Sequence, residues 1–216
     1  MLARIKICGI TRLQDARLAS ELGAWAIGFV FAKKSTRTIA PEIAGEILEK
    51  LGESAVIPIG VFVDSPADDI CRAVDLSRIG GVQLHGSEPP ELCAELKKRK
   101  PGLLVIKAFR PRSEPDLRAL ESFSACDQLL VDAFHPSLLG GTGKQADWAL
   151  ATQAKKHGSV ILAGGLHAGN IVEAFESVKP FAVDLSSGVE ESPGIKSAEK
   201  LKQVFESARV VELEAH

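Results

Sequence analysis

Short β-prone runs alternate with helix-like amphipathic segments along the chain, and they do so eight times. The strand-like runs are Arg4–Cys8, Ala26–Val30, Ile57–Val63, Gly81–Leu84, Leu103–Lys107, Leu129–Asp132, Val160–Ala163 and Phe181–Asp184. Apolar spacing predicts helices over Leu13–Leu22, Pro41–Leu51, Ala67–Val74, Pro90–Lys98, Asp116–Ser122, Trp148–Lys156, Ile171–Ser177 and Ser197–Ala208. Pro41, Pro66 and Pro90 stand near helix starts, where a missing N–H costs nothing. Regular β-then-α alternation implies a parallel sheet with helical crossovers. Eight such units in 216 residues fit an α/β fold of the (β/α)8 or TIM-barrel kind, whose usual size is about 200–250 residues. An open doubly wound sheet is the alternative, but it gathers its polar residues at one switch point. Here polar residues or glycines end nearly every predicted strand: Cys8, Asp64, His85, Lys107, Asp132, Gly164-Gly165 and Asp184. No linker, repeat or low-complexity tract divides the sequence, so one barrel domain over residues 1–216 is expected.

Composition excludes several classes of partner. A formal net charge of −2 gives no reason to expect nucleic acid or an anionic membrane surface. No apolar run approaches the roughly 20 residues that cross a bilayer, and the first residues enter a strand pattern without a signal segment. Cys8, Cys71, Cys93 and Cys126 are widely spaced with no C-x-x-C pair, which argues against a disulfide framework or a zinc site. A cytoplasmic protein is expected. Cys71, Cys93 and Cys126 read as small buried hydrophobes.

The chemistry concentrates at strand ends. Alternation sends Lys6 and Cys8 to one face, so the ammonium is expected beneath the thiol, where it favours thiolate. A merely buried strand cysteine is the competing reading. Asp132 ends a run of apolar residues, where a carboxylate serves packing poorly; capping the next segment is its bland alternative. Asp64, before Ser65-Pro66, looks like a helix cap. Ala163-Gly164-Gly165-Leu166 and Asp184-Leu185-Ser186-Ser187-Gly188 follow the seventh and eighth strands, the recurring phosphate position of these barrels. Turn glycines alone explain either loop singly. The most basic strand-end stretch holds Lys33, Lys34 and Arg37. Arg37 there can clamp a carboxylate through two parallel hydrogen bonds, or belong to a solvated loop. Gly140-Gly141-Thr142-Gly143-Lys144 lacks the spacing of a nucleotide-binding P-loop.

Taken together, these segments resemble the phosphoribosylanthranilate isomerase family of tryptophan biosynthesis. The resemblance rests on Lys6-Ile7-Cys8-Gly9-Ile10-Thr11, Gly60-Val61-Phe62-Val63-Asp64, Val82-Gln83-Leu84-His85-Gly86 and Leu130-Val131-Asp132. It continues through Gly140-Gly141-Thr142-Gly143, Leu162-Ala163-Gly164-Gly165-Leu166, Asp184-Leu185-Ser186-Ser187-Gly188-Val189-Glu190 and Pro193-Gly194-Ile195-Lys196. The chain departs from the family's common pattern at Thr36, Ala146 and Ser197. The resemblance implies an Amadori rearrangement of an aminoaldose to an aminoketose, with Cys8 as general base and Asp132 as general acid. It further implies Arg37 at the anthranilate carboxylate, Gly164, Gly165, Ser186 and Ser187 around the phosphate, and His85 and Asp184 lining the pocket. The thiol pKa is then expected to fall modestly, and Asp132 to be enclosed so that it keeps a proton. No cofactor or metal is implied. The partner is a small phosphorylated substrate, and the chain a monomer or homodimer. The sibling isomerase of histidine biosynthesis resembles this family but has an aspartate at the end of its first strand. A non-catalytic phosphosugar-binding barrel would need neither Cys8 nor Asp132, and a metal site at His85 lacks a second histidine at suitable spacing.

Overall fold

The computed structural model describes residues 3–132 and 148–213. Eight strands form where β-branched and aliphatic residues run together: β1 (Ile5–Cys8), β2 (Ala26–Val30), β3 (Ile57–Phe62), β4 (Gly81–Leu84), β5 (Leu104–Phe109), β6 (Gln128–Asp132), β7 (Val160–Ala163) and β8 (Ala182–Leu185). Each pairs in parallel with the next in chain order. Pairing of β8 with β1 closes the sheet into a barrel. The predicted strands are thus all present, with ends that coincide or shift by at most two residues. Helices α1 (Leu13–Glu21), α2 (Pro41–Leu51), α3 (Ala67–Ser77), α4 (Pro90–Arg99), α5 (Trp148–Ala154), α6 (Ile171–Val178) and α7 (Ala198–Leu213) form the outer ring. None of the described helices is long and apolar enough to cross a membrane.

Three sequence expectations change. The segment predicted as a helix over Asp116–Ser122 is a 3-10 helix, Glu114–Phe123. Leu117, Leu120 and Phe123 are its buried residues, and their spacing of three is the repeat of that tighter helix. Asp64 does not cap α3, which starts without a side-chain cap. Its Oδ1 instead accepts the Ser87 N–H at 2.6 Å, which ties the loop after β3 to the loop after β4. A short antiparallel hairpin, β9 (Glu190–Ser192) and β10 (Ile195–Lys196), follows β8 and went unpredicted. The Gly140–Lys144 stretch, His135, Ala146 and Asp147 lie outside the described residues.

Side-chain alternation divides the core into two layers. Ile5, Ile7, Ile27 and Phe29 pack outward under the helices. Ala26, Ile59, Ile106, Leu130, Ile161 and Ala182 fill the barrel, with Trp25, Ile57, Leu104 and Phe181 against them at the amino-terminal ends of the strands. Toward the carboxyl-terminal ends the interior turns polar, with Lys6 and Gln83 fully buried. That change of character places the chemistry at one end of the molecule.

Candidate active site

A cavity of about 420 Å³ opens at the carboxyl-terminal ends of the strands. Its walls bring together Cys8, Arg37, His85, Asp132, Gly164, Gly165, Asp184, Ser186 and Ser187, all the site residues predicted from sequence. They come from distant stretches of chain, and barrel closure alone makes them neighbours.

At the floor, the Lys6 ammonium donates to both Asp184 oxygens at 2.9 Å. Burial opposes the charge on Lys6, but Asp184 and then Cys8 outweigh it and raise its pKa. Burial pushes the Asp184 carboxyl up while Lys6 pulls it down. A two-pronged contact at 2.9 Å is what an ammonium and a carboxylate make, so we read the pair as ionised. The Cys8 thiol does not move as expected. Burial pushes its pKa up, and the opposing pull of Lys6 and Lys196 does not overcome that. Lys6 lies where the sequence placed it, but Asp184 neutralises much of its influence.

Across the cavity, the Asp132 side chain is 14% exposed and its Oδ2 accepts the Arg110 Nε–H at 2.8 Å. The side chain is enclosed as expected, and the neighbour that its Oδ2 meets is a guanidinium. Arg110 reaches His85 as well, with Nη2 and Nε2 3.3 Å apart, and His85 Nδ1 meets the Gln83 amide at 2.8 Å. Burial first, then the Arg110 charge, lowers the His85 pKa to about 4. A neutral imidazole therefore stands in the wall at neutral pH. Both ring nitrogens are engaged by side chains other than metal ligands. Among the described residues, no three His, Cys, Asp or Glu side chains converge on a common point where a metal could sit.

The loops after β7 and β8 fit closely because glycines stand where they bend and where they meet. Gly164 and Gly165 hold φ of 104° and 65°, the left-handed region where a Cβ is strained. A Cβ on Gly188 would stand 1.9 Å from the Leu166 carbonyl oxygen, so the two loops touch backbone to backbone. Asn170 braces the first loop by donating from Nδ2 to the Gly165 carbonyl at 3.1 Å.

Arg37 is held by residues to which the sequence reading gave no part. Its Nε and Nη2 donate to Glu190 Oε1 and Oε2 at 2.8 and 2.6 Å. Two of the five guanidinium N–H groups are thereby engaged within the protein. Glu190 also accepts from the fully buried Lys196 ammonium at 2.9 Å. Lys196 donates in turn to the Cys8 carbonyl at 2.6 Å and the Ser186 carbonyl at 3.3 Å. Burial works to raise the Glu190 pKa, yet Arg37 and Lys196 bring it down to about 2. The missed signal was two opposite charges flanking Pro193-Gly194, a turn pair that folds them onto each other.

A closed parallel barrel, with a pocket of titratable groups at its strand ends, defines a (β/α)8-barrel enzyme. The pattern of the N-(5'-phosphoribosyl)anthranilate (PRA) isomerase family matches residues 5–207. The chain belongs to that family. It is 44% identical to the N-(5'-phosphoribosyl)anthranilate isomerase of Geobacter sp. (strain M21) over 96% of this chain and 98% of that protein. The crystal structure of phosphoribosyl anthranilate isomerase from Thermotoga maritima superposes with a TM-score of 0.87, at 40% identity, covering 96% of this chain and 99% of that one. A second structure is of the isomerase in complex with reduced 1-(o-carboxyphenylamino)-1-deoxyribulose 5-phosphate. It gives a TM-score of 0.84 at 38% identity, with the same coverage.

Proposed function

We propose that this chain converts N-(5'-phosphoribosyl)anthranilate to 1-(2-carboxyphenylamino)-1-deoxyribulose 5-phosphate in tryptophan biosynthesis. Its compartment is the cytoplasm, and Cys8 and Asp132 divide the proton transfers. The observation that carries the reading is the placement of Cys8 and Asp132 in one cavity between a basic loop and two glycine loops, in a chain of this family. Asp132 protonates the furanose ring oxygen, and the ring opens to a Schiff base at the first ribose carbon. The Cys8 thiolate then takes the proton from the second carbon, which leaves an enolamine. Proton return to the first carbon and loss of the enol proton give the ketone. No electron leaves the substrate and no group is transferred, so the reaction balances without a cofactor.

Each remaining wall residue has a part. Arg37 meets the anthranilate carboxylate with the N–H groups that Glu190 leaves over. The Gly164-Gly165 and Ser186-Ser187 loops receive the phosphate, the glycines by letting backbone approach closely and the serines with N–H and hydroxyl groups. His85 and Asp184 line the ribose between them. The buried thiol makes the thiolate scarce in the unliganded protein. Lys6 and Lys196 are the groups that favour it.

The test is a fluorescence assay of the purified protein with phosphoribosylanthranilate generated in situ. Decay of substrate fluorescence well above the uncatalysed rate is expected. A trace indistinguishable from buffer, from protein with an intact fold, rejects the reading.

A further inference from the structure

Gln83, buried inside the barrel, has no place in the reaction described so far. Its side-chain Oε1 is buried with no hydrogen-bond partner among the described residues. Its Nε2, as placed, lies 2.8 Å from His85 Nδ1. On the far side of the ring, His85 Nε2 lies 3.3 Å from Arg110 Nη2. A neutral imidazole has one donor nitrogen and one acceptor nitrogen, whereas a guanidinium can only donate. If the Gln83 amide donates to Nδ1, the ring proton must sit on Nε2, where it faces the Arg110 N–H donor to donor. The amide oxygen and nitrogen are exchangeable by a half-turn of the side chain, so their assignment follows from the network. Turned over, Gln83 Oε1 accepts the His85 Nδ1–H and gains the partner it lacks, and His85 Nε2 becomes the acceptor that Arg110 requires. His85 is held neutral at physiological pH by burial and by Arg110, so it can play this part.

We infer that Gln83 is a positioning residue for the isomerisation: its carbonyl fixes His85 as the Nδ1–H tautomer, so that His85 Nε2 holds Arg110 against Asp132. The chain of donors and acceptors then runs in one sense, from His85 Nδ1–H to Gln83 Oε1, from Arg110 Nη2–H to His85 Nε2, and from Arg110 Nε–H to Asp132 Oδ2. Gln83 lines the same cavity, but the part assigned to it needs no contact with the reacting atoms. It acts through two side chains on the orientation of the proposed acid. Without an acceptor at Nδ1 the ring is free to carry its proton on Nε2, and the Arg110 guanidinium is turned away.

Only the kinetic arm of the test rests on the isomerase reading. The first measurement is the 15N spectrum of histidine-labelled wild-type protein at pH 7, with the His85 signals assigned by their loss in His85→Asn. A protonated-type shift at Nδ1 and an unprotonated one at Nε2 is expected; the reverse pattern overturns the inference. The second is Gln83→Met, which keeps the volume and removes the acceptor. It should raise the Nε2–H population and lower kcat about tenfold, the size of one net hydrogen bond, with KM little changed. An unaltered tautomer with unaltered kcat overturns it. If Gln83→Met does not fold, the wild-type spectrum decides alone. If the wild type has no isomerase activity, the function falls and the tautomer is still read.

Discussion

The Cys8 sulfur sits against Gly28 with no room for a methyl group between them. A Cβ on Gly28 would stand 2.9 Å from Cys8 Sγ, 3.2 Å from Cys8 Cα and 3.3 Å from Lys6 Nζ. The Cα belongs to a strand paired on both sides, so the sulfur and the ammonium must give way. Gly28→Ala is therefore expected to cost about 1–3 kcal/mol of stability, as overpacking does, and to lower kcat/KM more than tenfold by displacing the proposed base. Urea unfolding and steady-state kinetics on the one variant read both effects. Activity within twofold of wild type would mean the sulfur position is not what limits the reaction. Substitution of the proposed acid and base probes the chemistry directly. Cys8→Ser and Asp132→Asn should each lose about 100-fold or more in kcat, the usual weight of a proton-transfer group, with far-UV circular dichroism unchanged. Variants that unfold instead would assign these residues to structure.

The hairpin of β9 and β10 is the element that ties the site together. Lys196 bridges the end of β1, the loop after β8 and Glu190, while Glu190 grips Arg37. Glu190→Gln removes the carboxylate facing a fully buried ammonium and should cost roughly 3 kcal/mol or more, as breaking one side of a buried pair does. Lys196→Met leaves Glu190 with Arg37 and should cost less. Urea midpoints in the opposite order would show that Glu190 is not the counter-ion that matters. This element also marks where the sequence stopped being informative. Strand ends read well, because alternation and a terminal polar residue are local signals, and they led to Cys8, His85, Asp132 and Asp184. Partners did not. That Lys6 spends its charge on Asp184, or that Arg110 reaches Asp132, depends on residues 178 and 22 positions apart, which barrel closure and the pairing of β5 with β6 make adjacent. The shift of the Cys8 thiol was misjudged for the same reason: burial is a property of the closed barrel and leaves no trace in a tetrapeptide.

Two groups of the site, the half-buried His85 and the buried Glu190, couple the whole molecule's stability to pH in adjoining windows. His85 falls from an ordinary 6.5 to about 4 in the folded protein. Between those values the unfolded chain binds a proton that the native state refuses, so stability declines as pH falls through that interval. Glu190 falls from 4.5 to about 2. Its contribution is full above 4.5 and disappears as pH drops through the folded value, because acid must then protonate a carboxylate that Arg37 and Lys196 hold ionised. Loss on acidification should therefore come in two stages carried by different parts of the site, first the wall around His85 and then the hairpin. Thermal unfolding across pH 7 to 2 separates them by difference. His85→Asn should flatten the slope between about 6.5 and 4 and leave the lower part alone. Glu190→Gln should start from a lower plateau and lose the slope below about 4.5. The other histidines and carboxylates contribute equally to wild type and variant, so they cancel. If His85→Asn tracks wild type in parallel down to pH 4, His85 titrates alike in the folded and unfolded chain. Burial and the Arg110 charge would then not be what keeps the imidazole neutral, and the Gln83–Arg110 arrangement would lose that support.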